Sequence, residues 1–200
     1  MRSAFDKLIS ATGLVLVAVL LVAGGLLTWA HSFVGDQVHN QLTMQGITMP
    51  SGDALTGLPK ADAKALRPYA GSPMDTGPEA KAFADSYILA HMNEASKGQT
   101  YEQVSGKYIA LSDSAKASPD GQALGQLRQT LFMGDTLRGL LLYGYAFATM
   151  GTIAGFAALA SFAGAAVLLL LAGLGLWHAR RAEESVDVLP VAGRLIPQHV

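Results

Sequence analysis

Arg138–Arg181 reads RGLLLYGYAFATMGTIAGFAALASFAGAAVLLLLAGLGLWHARR, with no Asp, Glu or Lys between its flanking arginines. A single crossing of a bilayer takes about 20 apolar residues, so this run is too long for one ordinary crossing and barely enough for two. It reads in three ways: one crossing preceded by a membrane-surface helix, one long helix standing partly out of the bilayer, or two short crossings joined by a turn. The last needs a turn in the middle, and the segment has no Pro, Asn or Asp to make one. Its glycines are spread at helical spacing instead of clustering, which also argues against a turn. One crossing, over residues 149–177, is therefore expected. Leu137–Phe147 (LRGLLLYGYAF) forms an outer lead-in, and the sequence leaves open whether it lies on the membrane surface or continues the helix.

Working outward, the other apolar block lies near the start of the chain. Residues 11–30 carry no charge, follow Arg2 and Lys7, and end beside Trp29. Their length suits a membrane anchor. A cleaved signal peptide is the competing reading. It would have a shorter apolar core and a small-residue cleavage site, and Thr28-Trp29-Ala30 is a poor one. The charge pattern links the two blocks. With Arg2 and Lys7 in the cytoplasm, one further crossing returns Arg180 and Arg181 there, as the excess of cytoplasmic Lys and Arg requires. Residues 31–59 contain no Lys or Arg, as expected just outside a membrane. Arg138 is the exception, and Asp135 one turn earlier can pair with it.

The expected organisation is a cytoplasmic N-terminus (1–10), a first transmembrane helix (11–30), an extracytoplasmic helical domain (31–148), a second transmembrane helix (149–177) and a cytoplasmic tail (178–200). The fold class is an all-α membrane protein whose two transmembrane helices extend outward into that small domain. Trp29, Tyr143, Tyr145 and Trp177 would mark the membrane interfaces, with Arg180 and Arg181 beyond. Charged residues make up 14% of the 200, against about 25% in ordinary soluble chains. The deficit lies in the two apolar blocks. A net charge of −1 gives no electrostatic support for nucleic acid. The absence of cysteine excludes disulfides, thiolate metal sites and cysteine nucleophiles.

In the middle, Val34, Val38, Leu42 and Gln45 repeat at helical spacing, so the first helix is expected to continue outward. A breaker-rich stretch follows, with a short helix in KADAKALR. Pro78 suits a first helical position. Phe83, Ala84, Tyr87, Ile88, His91 and Met92 then fall on one helical face, and Gly98 ends that helix. Thr100 and Gln103 have capping-box spacing, and Tyr101, Val104, Tyr108 and Leu111 form the next apolar face. Ser118-Pro119 opens a final helix that runs into the second crossing, with bends allowed at Gly134 and Gly139. No strand pattern and no internal repeat is present. The end of the tail, short and mixed, is expected to be mobile.

Few residues carry chemistry. His31 and His39 are eight apart, where ligands on one helix prefer i and i+4. His91 reads as a hydrogen-bonded core histidine. Asp85 and Glu94 fall on solvated faces, and no nucleophile elbow is present. No catalytic residue, metal site or cofactor is therefore expected. TYEQVSGKY is like a recognition helix, but its placement outside the membrane argues against DNA. The small residues carry more. Gly151 and Gly155 form G-x-x-x-G, and Ala157, Ser161 and Ala165 continue at that spacing, as does Gly164 after Ala160. Such rows let helices approach closely in lipid, and Gly24 and Gly25 could accept that approach. Neither crossing contains an ionisable residue, which disfavours transport. Phe83, Tyr87, His91, Tyr101 and Tyr108 are the candidate core or ligand face.

GLVLVAVLLVAGGLLTWAHSFVGDQVHNQL, GQTYEQVS, TLFMGDTLRGLLLYGYAFATMGTIAG and the LWHARR exit together resemble an uncharacterised family of two-pass actinobacterial membrane proteins. The resemblance implies the same topology and the plasma membrane of a high-G+C Gram-positive cell. It brings no catalytic residues. The expectation is a non-enzymatic scaffold or accessory subunit in the plasma membrane, both termini cytoplasmic. Its partners would be the lipid bilayer and another membrane or envelope protein, or a second copy of itself. The alternative is an extracytoplasmic sensor or small-ligand binder with a pocket lined by Phe83, Tyr87, Tyr101 and Tyr108. An apolar exposed groove would favour the first, and a closed aromatic cavity the second.

Overall fold

A computed structural model describes the backbone of residues 2–187 and the side chains of residues 5–181. The last residues of the tail, from 188 on and including His199, lie outside the described residues. Among the described residues the fold is all-helical, with no strands, and two helices are long and apolar enough to cross a membrane, Phe5–Thr43 and Pro119–Arg181. The chain divides into two units, Met1–His31 with Ile153–Val200, and Ser32–Thr152.

Helix α1 (Arg2–Thr43) ends in a turn closed by Gly46, whose φ of 63° suits glycine. Short helices α2 (Asp53–Thr56) and α3 (Lys60–Leu66) follow, then a 3₁₀ turn, Arg67–Tyr69. Residues 47–49 and 72–74 touch as a minimal antiparallel bridge at Thr48 and Pro73. In it the Met49 N–H donates to the Ser72 carbonyl and the Met74 N–H to the Ile47 carbonyl, each at 2.8 Å. This pairing turns Met49 and Met74 into the core, where each is 1% exposed.

Helix α4 (Gly77–Phe83) runs through a π-helical turn, Ala84–Ile88, into α5 (Leu89–Ser96). Its start is set by Thr76, not Pro78 alone: the Glu79 carboxylate accepts from the Thr76 N–H at 3.0 Å, the Thr76 hydroxyl at 2.8 Å and the Ser72 hydroxyl at 2.9 Å. Helix α5 stops where Lys97 and Gly98 turn left-handed. Helix α6 (Tyr101–Ile109) carries the expected box: the Gln103 N–H donates to Thr100 Oγ1 and the Thr100 N–H to the Gln103 side chain. One-turn α7 (Asp113–Lys116) precedes α8 (Pro119–Asp187), which is unbroken through Gly134 and Gly139.

The second unit has two adjoining apolar clusters. Val38, Leu42, Met49, Leu66, Met74, Ala80, Ala84 and Leu141 form one, and Met92, Val104 and Leu131 the other. The lead-in Leu137–Phe147 is thus a stretch of α8 whose inner face, at Leu141 and Leu142, is core of this unit. Arg138 fastens α8 to the π turn. Its Nε–H donates to the Ala84 carbonyl at 3.1 Å, and its fork reaches Asp85 at 3.2 Å and Asp135 at 3.6 Å. Asp85 also pairs with Lys81, so the solvated face expected for it is corrected to a half-buried ion-pair position. A second correction concerns His91. It is exposed, with Nδ1–H donating to the Tyr87 carbonyl at 2.8 Å. The wider π turn advances the register after Phe83, which turns His91 outward while Met92 stays buried.

Candidate functional site

In the first unit, α1 and α8 meet along seams of three- and four-residue spacing. Ser10, Val17 and Gly24 are buried on α1, with Gly13, Leu20 and Leu27 half-buried between them. On α8, Ala158, Ala165, Ala172 and Ala179 are buried at strict seven-residue intervals, with Ala154, Ser161, Leu168 and Gly175 half-buried beside and between them. A seven-residue repeat is the signature of left-handed coiled-coil packing. The sequence had pointed to rows of four. Of those residues, Gly151 and Ala165 are buried, while Gly155, Ala157, Ser161 and Gly164 flank the seam, half-buried. A Cβ on Gly24 would strike the Phe162 ring at 2.8 Å, and one on Gly155 would lie 3.0 Å from His31 Nδ1. Gly25 faces open space.

The outer faces of the pair are apolar and uncovered. Val15, Val22 and Leu26 on α1 and Phe156, Leu159 and Leu170 on α8 are all more than 60% exposed. Only 17% of the most apolar stretch of each helix is buried, where a soluble core helix would be mostly buried. Trp29 and Trp177 are exposed, and the Arg181 guanidinium stacks 4.1 Å from the Trp177 ring centroid. Arg180 is exposed. Asp6 and His178, which the sequence did not link, are hydrogen-bonded at 3.0 Å.

In the second unit, the same two helices line an open groove of about 540 Å³. One wall is α1, with Phe33, Val34 and Val38, and with Gln37, Gln41 and Gln45 at four-residue spacing. The other wall is α8, with Leu140, Gly144 and Phe147. Leu140 is 60% exposed and Phe147 55%. No charged residue lines it.

The five residues of the aromatic face fall into two clusters. Phe83 and Tyr87 stack at 5.0 Å, and Tyr87 and His91 at 4.5 Å. Tyr101 and Tyr108 instead bracket Arg128. The cavities beside them are lined by Tyr101 in one case and Tyr108 in the other, and neither by Phe83 or Tyr87. Tyr143 is exposed, and Tyr145 has the Lys81 ammonium 5.6 Å from its ring centroid.

Three carboxylate and amine groups are shifted. Burial works against the Glu79 carboxylate, but the Asp75 N–H, the Thr76 and Ser72 hydroxyls and the Thr76 N–H outweigh it and hold its pKa below the usual value. Burial likewise opposes Asp85, and hydrogen bonds and charge from Lys81 and Arg138 lower it. Lys81 is raised by its hydrogen bond to Asp85 and by the charge there. These are ion pairs and caps that fasten helices. Among the described residues no group of three or more His, Asp or Glu could hold a metal ion. His39 lies 3.7 Å from Asp75. Comparison with protein-family models, curated proteins and solved structures finds no match.

Proposed function

We propose that this is a two-pass plasma-membrane protein, both termini cytoplasmic, whose outer helical domain docks an apolar helix of another membrane or envelope protein. It acts as a non-enzymatic scaffold or accessory subunit. The bare outer faces of the α1–α8 pair support the membrane reading, because Leu, Val and Phe in that number need lipid or protein around them. The charge asymmetry supports the orientation. The resemblance to two-pass actinobacterial proteins supports the same topology and a Gram-positive envelope.

One observation carries the docking reading. Leu140, Gly144 and Phe147 stand at four- and three-residue spacing on α8. In the second unit these three residues line the groove, with Leu140 and Phe147 uncovered. A seam of this kind is completed by the knobs of another helix. Its occupant is uncharged, like the lining, and the Gln37, Gln41 and Gln45 amides offer it donors and acceptors at each turn. A single aromatic pocket for a small ligand has less support, because its four residues lie in separate clusters.

A photo-crosslinking residue at position 140 or 33, in native membranes, tests this. A discrete protein adduct from both positions, absent from position 64 on α3 and abolished by Gly144→Trp, is the expected result. Adducts to lipid alone would overturn helix docking. An adduct of twice the chain's mass would assign the groove to self-association. Co-purification in mild detergent then identifies the partner.

A further inference from the structure

Arg128 is held in an unusual way. Its guanidinium lies 5.9 Å from the Tyr101 ring centroid and 5.5 Å from that of Tyr108, and its Nε–H donates to Ser105 Oγ at 3.0 Å. Tyr101, Ser105 and Tyr108 occupy successive turns of α6, so one helix face grips one side chain at three points. Gly125 makes room for the grip: a Cβ there would lie 3.0 Å from Tyr108 Cε2.

The fork itself is unengaged. Among the described residues Arg128 makes no ion pair, and its one hydrogen bond uses Nε, which leaves both terminal nitrogens unbonded. Arg138 shows the contrast, because its fork is occupied by Asp85 and Asp135 where it fastens two elements. Arg128 lines two cavities, which also share Gly125 and Gln129. One, of about 280 Å³, is flanked by Tyr101 and Phe132. The other, of about 400 Å³, adds Lys116, Gln122 and Gln126. The Lys116 ammonium stands 5.9 Å from the Tyr108 ring centroid, and its ion pair with Asp113 is loose, at 3.8 Å to a fully exposed carboxylate.

We propose that Arg128, with Lys116, forms an oxyanion site for a carboxylate or phosphate ester carried on a hydroxyl-bearing body, such as a uronic acid or a glycerol phosphate unit. A guanidinium is a planar double donor that matches two oxygens of such a group, which an ammonium does not. Stacking between two rings fixes the fork before the ligand arrives, so less side-chain entropy is lost on binding. The Gln122, Gln126 and Gln129 amides can both donate to and accept from hydroxyls. The site is remote in sequence from the groove-lining residues of α1 and does not depend on what the groove binds.

The test uses the full chain in phosphatidylcholine nanodiscs, titrated with D-glucuronate, glycerol 1-phosphate and neutral D-glucose. Binding is followed by ligand saturation-transfer NMR and the arginine Nε–Hε signals. Both anions should saturate, glucose should not, and affinity should fall as salt rises. Arg128→Gln should weaken the anions at least about tenfold, the scale of losing hydrogen bonds to a charged group. Arg128→Lys, which keeps the charge and loses the fork, should also weaken them. Lys116→Gln should give a smaller loss, and Lys64→Gln none. Discs containing phosphatidylglycerol separate the sources: competition with free glycerol phosphate assigns the group to a lipid headgroup, and undiminished binding assigns it to a soluble or polymer-borne ligand. Saturation by the anions no better than by glucose would overturn the proposal. So would wild-type affinity in Arg128→Lys, which carries the test if Arg128→Gln fails to fold.

Discussion

Gly77→Ala should destabilise the second unit, Ser32–Thr152, by about 1–3 kcal/mol, the usual cost of forcing extra atoms into a packed site. From sequence, Gly77 belongs to a Gly-Pro breaker. In the fold it is the buried first residue of α4, with no left-handed backbone to explain it. What it supplies is proximity. A Cβ at this position would lie 2.5 Å from the Ala148 Cβ and 3.2 Å from the Tyr145 Cα. Ordinary carbon contacts begin at about 3.5 Å, so the first must open by about 1 Å. Neither neighbour is the far end of a flexible side chain, so relief requires α4 and α8 to part. That movement also strains the Glu79 network at the start of α4 and the Ala84 carbonyl that Arg138 holds. For a unit of this size the loss corresponds to a melting temperature lower by about 3–15 °C. Gly57→Ala is the control. It has a right-handed backbone and nothing within 4 Å of a new Cβ, so it should be neutral or stabilise by up to about 1 kcal/mol. Thermal unfolding of both variants in nanodiscs, followed by near-ultraviolet circular dichroism, gives the comparison. Wild-type melting of Gly77→Ala, or an equal loss in Gly57→Ala, would refute the reasoning.

Further predictions concern the ion pairs and the seam. Asp85 and Glu79 have lowered pKa values, so the stability they contribute is fully present above the unfolded carboxylate value of about 4 and is lost as pH falls through their lower folded values. The domain should therefore be flat in stability from pH 7 to about 5 and weaken in acid below about 4. Asp85→Asn and Glu79→Gln should each be less stable at pH 7 and show a shallower acid loss in denaturant titrations. In the first unit, Ala165→Leu should loosen the helix pair by about 1–3 kcal/mol, because Ala165 is 2% exposed on the seam. Ala160→Leu, on the exposed side of the same helix, should be tolerated, and steric-trap unfolding in bilayers separates the two.

Local signals were legible in the sequence. The outward run of α1, the short α3, the Thr100–Gln103 box and the Asp135–Arg138 pair all depend on residues within a turn or two of each other. What was not legible depended on distance or register. Arg138 finds Asp85 more than fifty residues away, which no local pattern announces. The π turn shifts the 3.6-residue register, so a face drawn straight from Phe83 to Met92 misplaces His91. Thr76 and Glu79 have capping-box spacing, but the box straddles the end of a breaker-rich stretch, where Pro78 alone read as the helix start. The four-residue rows of small residues stood out in an Ala-rich helix and hid the seven-residue row at Ala158, Ala165, Ala172 and Ala179. That row becomes visible only against the matching Ser10, Val17 and Gly24 of α1. The groove was foreseeable as a kind of surface but not in place, because its walls, residues 33–45 and 140–147, are far apart in the sequence. Arg128 was passed over, since a lone arginine on a helix gives no sign of the rings that hold it.

The proposed topology places residues 32–152 outside the membrane, between two crossings. The chain has no cysteine, so single-cysteine variants report without background. Ser114→Cys on α7 and Arg180→Cys near the end of α8 are both exposed positions. Intact cells expressing each variant are treated with a membrane-impermeant maleimide before and after permeabilisation. Position 114 should label on intact cells, and position 180 only once the membrane is opened. Labelling of position 180 on intact cells, or protection of position 114 until lysis, would contradict this topology.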